Sequence, residues 1–279
     1  MKKILLTLLL LVPAAALAQE TIDNGLSYSA RATVEADAKL AKGLHLTAHE
    51  EGRYYVGSDD LFRFYTGLGL EYKVADFLKV GAEYELINRY RFDEDENANV
   101  WSTRHRGQLF ATGTLRAGDW QFGLKETFRA TYRPGDMNLY QSPRTALALK
   151  SKLSVKYRGM GKVIPYASFE VRNTLNDAAY SATYNPSAEK NKDRYLNEEF
   201  LGYTHAYVDR LRGQLGVTVK FSKAHEVDFY LLGDHYKYKK IDTNREGSES
   251  WQNNGLVLKS INWYTGNMLS AGVGYKFSF

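Results

Sequence analysis

Cations recur two or four residues apart along several stretches of this 279-residue chain: Arg89 and Arg91, Arg104 and Arg106, Arg129 and Arg133, Lys150 and Lys152, Arg210 and Arg212. In extended backbone, residues an even number apart share a face, so each pair points two positive groups to one side. Rings of such groups in a narrow, low-dielectric space attract carboxylates, phosphates and sugar acids. Acids sit on the same parity at short spacing in Glu51/Arg53, Glu85/Arg89 and Glu170/Arg172, which predicts local ion pairs. Arg104/Arg106, Arg129/Arg133 and Lys150/Lys152 have no acid on their own stretch. Two arrangements fit: a cation-lined passage for small anionic solutes, or a closed interior neutralised by glutamate–arginine pairs.

Other chemistries find less support. A lipid hydrolase needs a serine or equivalent nucleophile within hydrogen-bond reach of a histidine base. His105 has Ser102 and Thr103 nearby, but Ser102 lies on the opposite parity and Thr103 is a poor substitute. No catalytic residue is assigned, and the chain is read as not an enzyme. It has no cysteine, and its six histidines show no metal-ligand spacing, so neither metal nor cofactor is expected. Nothing points to nucleic acid.

The elements that would carry these side chains are strands. Leu26, Tyr28, Ala30, Ala32, Val34, Ala36, Ala38 and Leu40 alternate with polar residues almost without error, a period of two. The pattern returns at Leu44–Val56, Phe62–Val74, Leu78–Phe92, Trp101–Arg116, Trp120–Arg133, Arg144–Arg158, Pro165–Leu175, Tyr207–Phe221, Glu226–Lys239 and Met268–Phe279. Each is about the 9–11 residues of a tilted membrane-crossing strand, or longer. Short connections ("AKG", "VADF", "RAGD", "GMGK", "FSKA") alternate with longer polar ones such as "FDEDENANV" and Asn176 to Phe200. That asymmetry describes an outer-membrane barrel with its turns in the periplasm and its long loops outside.

The ends of the sequence fit that class. Residues 1–18 carry two lysines, an apolar run from Ile4 to Val12 and the small-residue pattern Ala16-Leu17-Ala18, the layout of a signal peptide cleaved after Ala18. Residues 19–279 then form one domain: an all-β, single antiparallel transmembrane barrel of 10–12 strands in the outer membrane of a Gram-negative bacterium. Its partners would be outer-membrane lipid, small anionic solutes and the barrel assembly machinery, which would read the terminal Phe279.

Two irregularities stand out. Eleven stretches alternate, whereas single-chain bacterial barrels have even strand counts. Either "LVLKSINWYTG" adds a strand, or one is merged or missed near the amino terminus, or that terminus starts on the outer side. Glu50 and Glu126 fall on the apolar parity, where a β-bulge would turn them inward.

The Glu-x-Arg pattern in "HEEGRYY" and "FEVRN", with "GLEYKVADFLKVGAEYELINRYR" early and "YVDRLRGQLGVTVKF" late, resembles a family of small outer-membrane β-barrels classed as a domain of unknown function. The resemblance covers most of the mature chain and implies location and fold, without a substrate or a catalytic residue. A weaker resemblance is to oligogalacturonate-type porins, small barrels with basic lumens. The function expected is a passive, anion-preferring channel. The alternative is a closed structural or surface-binding barrel acting through its outer loops, above all Asn176 to Phe200.

Overall fold

Unbroken alternation over ten or more residues leaves a strand one apolar and one polar face, and a sheet of such strands loses its exposed edges only by closing. The computed structural model describes residues 21–58, 60–93, 97–135, 137–185, 195–243 and 258–279. The proposed signal segment, 1–18, lies outside the described residues.

Eleven strands close into a barrel: β1 (Thr21–Ala41), β2 (Leu44–Val56), β3 (Asp60–Ala75), β4 (Leu78–Asp93), β5 (Ala98–Ala117), β6 (Trp120–Tyr132), β7 (Thr145–Tyr157), β8 (Val163–Asp177), β11 (His205–Lys220), β12 (His225–Thr243) and β13 (Leu258–Ser278). A separate hairpin, β9 (Tyr180–Tyr184) and β10 (Tyr195–Phe200), is inserted between β8 and β11. The alternation had not singled it out, because its strands are too short to show a period.

The odd count stands, within the 10–12 strands expected, and of the three explanations offered for it the last one fits. Every neighbouring pair in the barrel is antiparallel except β1 and β13, which pair in parallel from Thr21↔Trp263 to Asp37↔Ser278. Both strands run from the long-loop end to the short-turn end, so an eleventh strand can close the ring. β1 therefore starts at the loop end. "LVLKSINWYTG" adds no strand of its own, since its described part is the first half of β13. The seam is finished by the Lys39 amide donating to the Phe279 carbonyl and the Phe279 amide donating to the Asp37 carbonyl, both at 3.0 Å.

The two faces differ as the alternation requires. Outward leucines stand open, Leu68 at 55%, Leu215 at 66% and Leu231 at 67% exposure, while inward Arg31, Glu85, Glu170 and Asp234 are below 8%. A charged interior under an apolar exterior is the pattern of a barrel immersed in hydrocarbon, where an outward arginine or lysine at mid-depth would cost about 2–4 kcal/mol. Outward aromatics gather toward both ends: Tyr54–Phe62 (5.1 Å between centroids) and Tyr90–Trp101 (5.0 Å) at the loop end, Trp120–Tyr157 (4.9 Å) and Phe277–Phe279 (5.4 Å) at the turn end. Such rings belong at the two interfaces of a bilayer.

Glu50 and Glu126 are not turned inward by bulges, contrary to expectation. Pairing runs unbroken through both, so they stay on the outer face. Each has a hydroxyl donor on the next strand: Thr66 at 2.5 Å from Glu50, and Ser151 at 2.7 Å from Glu126. A neighbouring hydroxyl offsets part of the carboxylate's cost without disturbing the sheet.

At the loop end, the inserted hairpin and the β6–β7 connection pack on the tops of β12 and β13. Ala178, Ile241, Leu258 and Ile261 form a small buried cluster against Tyr180, Phe200 and Tyr203. The Tyr203 hydroxyl donates to the Leu139 carbonyl at 2.7 Å, and Asn138 to Thr243 at 3.0 Å.

Candidate functional site

The inward faces of the eleven strands enclose two chambers. The larger, of about 1100 Å³, opens toward the loop end and is lined by Arg89, Arg104, Arg106, Arg129, Lys150, Lys152, Arg210 and Arg212, together with Glu51, Arg53, Glu170 and Arg172. The smaller, of about 460 Å³, lies toward the turn end, with Glu35, Lys156, Tyr166, Asp228, Tyr230 and Lys276 in its wall. Of the expected lining, Arg91 and Arg133 do not reach the larger chamber. Arg91 sits at the loop end of β4 opposite Asp60 and Val100, and Arg133 lies just past β6, donating to the Ser142 hydroxyl at 3.2 Å.

Of the expected ion pairs, Glu51–Arg53 forms, and the other two are corrected. Glu170 binds Lys150 at 2.9 Å and reaches Arg212 at 4.0 Å, while Arg172 binds Asp209 at 2.6 Å. Glu85 binds Arg106 at 2.9 Å, while Arg89 binds Asp60 at 2.7 Å. The reason is geometric. Two residues apart on one strand is roughly 6.6 Å, whereas directly opposed Cβ atoms on neighbouring strands are about 4.5–5.5 Å apart. Glu85 accordingly takes Arg106, directly opposite it, whereas Glu170 takes Lys150, one diagonal step from its opposed Lys152 on the same neighbouring strand; Arg106 and Lys150 are not free cations.

Asp60 and Asp209 were missed because both carry the outward parity. Register shifts between Asp60 and Phe62 and between Val208 and Arg210 turn them inward, and each is over 90% buried. A bulge breaks the count that parity relies on.

Six chamber cations have no carboxylate within ion-pair distance among the described residues: Arg104, Lys125, Arg129, Lys152, Arg210 and Lys240. Arg129 donates to Gln108 at 2.5 Å, and Lys125 lies 4.0 Å over the Phe110 ring. Lys152 donates to Gln214 at 3.3 Å, and the Nε of Arg210 is buried without a hydrogen-bond partner. These side chains make the outer chamber electropositive after local pairing is counted.

Glycines shape the bore. Inward rings lie flat on glycines of the adjacent strand: Phe110 on Gly81, Tyr166 on Gly216, Tyr230 on Gly272. A Cβ on those glycines would meet the rings at 2.3, 2.5 and 2.1 Å. The aromatics thus lie against the wall.

The fold also brings together one group that sequence spacing hid. His49, Glu83 and Glu85 place ligand atoms all within 4.8 Å of one another, so the histidines are not without a metal-capable grouping. His49 lies across Gly67, which has no side chain to block it, and stands 3.5 Å from Glu85. Three such donors suit a divalent cation chemically, but Arg106 already engages Glu85. Ser102 and His105 are not brought together: the Ser102 hydroxyl is buried without a partner, and His105 faces outward, 2.6 Å from the Tyr84 hydroxyl.

No protein-family model and no curated protein matches the chain. Among solved structures, the siderophore receptor PirA from Acinetobacter baumannii aligns with 84% of this chain at 10% identity and a TM-score of 0.27. The chain spans 46% of that receptor's length.

Proposed function

We propose that this chain is a passive, anion-preferring channel for small acidic solutes in the outer membrane of a Gram-negative bacterium, its short turns periplasmic and its long loops outside. The carrying observation is the outer chamber of about 1100 Å³ in which Arg104, Lys125, Arg129, Lys152 and Arg210 lack acidic partners. A structural interior would place an acid beside each buried cation, because an unpaired one is costly. Water and solute anions fill that need in a pore. The excess positive charge raises anion concentration in the bore over that of cations of equal size.

A second reading, a closed barrel that acts through its loops, draws on the packing of β9–β10 and the β6–β7 connection on β12 and β13. Flux separates the two. In liposomes carrying the refolded protein, a small dicarboxylate should enter faster than a neutral sugar or an organic cation of matched size. Exclusion of all three would favour the closed barrel, and equal entry would remove the anion preference.

A further inference from the structure

The two chambers have only two lining residues in common, Lys125 and Lys152. These are direct cross-strand partners on β6 and β7. Like charges directly opposed on adjacent strands destabilise a sheet, so this pair is not what stability alone would select. No carboxylate lies within ion-pair distance of either ammonium among the described residues, although Glu170 on β8 is directly opposite Lys152. Instead the two are drawn apart, Lys125 toward Phe110 on β5 and Lys152 toward Gln214 on β11. Phe110, Tyr166 and Tyr230, the nearby rings, lie against wall glycines.

We infer that Lys125 and Lys152 form the charge filter of the barrel, the step at which a small carboxylate or phosphate passes from the outer chamber to the inner one. The inference rests on the channel reading and adds where selection occurs. A solute anion leaving Arg129 and Arg104 exchanges those guanidinium groups for two ammonium groups that hold no ion pair. A cation arriving at the same point meets two positive charges, and Glu170, the acid opposite Lys152, is already held by Lys150. Binding there is weak enough to release the anion onward, since an ammonium offers a hydrated point charge and no bidentate fork.

The test is the anion-to-cation permeability ratio in planar bilayers for the variant Lys125→Gln/Lys152→Gln. Its control, Arg104→Gln/Lys240→Gln, removes the same charge from elsewhere in the outer chamber. The waist variant should lose most of its anion preference at both low and high salt, because the solute contacts the lysines directly. The control should lose preference at low salt only, since its action is through a field that salt screens. Lys125→Arg/Lys152→Arg should keep the preference, which guards against a trivial folding defect in the glutamine variant. If the wild type conducts with anion preference and the waist variant behaves like the control, the filter assignment falls while the channel reading survives. If the wild type does not conduct, both fall.

Discussion

Arg104 and Arg106 are two residues apart on one face of β5, yet only Arg106 has an acid. Arg106 holds Glu85 at 2.9 Å, so Arg106→Gln leaves a buried carboxylate with His49 as its remaining ionic neighbour. That variant should unfold more easily by about 1–3 kcal/mol, read from urea unfolding in detergent micelles. Arg104→Gln breaks no ion pair and should unfold as the wild type does, while moving the reversal potential toward cations at low salt. Equal stability of the two variants would contradict the assignment of partners. Facing was legible in the sequence at this scale, because parity alone places Arg104, Arg129 and Glu170 inside and Leu68 outside. Pairing was not. Whether Glu170 meets Arg172 or Lys150 depends on cross-strand register, and Asp209 is inward only because a register shift upsets the alternation.

At the scale of the element, the seam between β1 and β13 is where the fold departs most from expectation. All eleven barrel strands were visible as alternating stretches, and the long and short connections gave their direction. The parallel closure was not visible, because no local pattern says which strand the first one meets. Parallel pairing is slightly weaker per residue than antiparallel, and here 21-residue strands on both sides compensate by length. Ala32 and Val273 are register partners with outward side chains, and the chain has no cysteine to interfere. Ala32→Cys/Val273→Cys should therefore form a disulfide on oxidation, seen as a mobility shift on a non-reducing gel. Ala32→Cys/Phe277→Cys, displaced by four residue pairs along the seam, should form none. The reverse outcome would mean a different register, and no bridge in either variant would mean that β1 and β13 are not neighbours.

For the whole molecule, the distribution of charge is what favours the proposed pore over a filled barrel. The outer face is apolar between two aromatic belts, which fixes how the barrel sits in a bilayer. The inner face holds more cations than its acids pair, which is the basis of the proposed anion preference. The hairpin β9–β10 and its contacts remain outside that scheme and belong to the loop end alone. The most direct measurement is the reversal potential of the purified protein in a planar bilayer under a potassium chloride gradient. Its sign should be that of chloride permeation, and its size should shrink as ionic strength rises from about 0.1 M to about 1 M and the Debye length falls from about 10 Å to about 3 Å. A potential of the potassium sign, or no conductance at all, would contradict an anion-preferring channel.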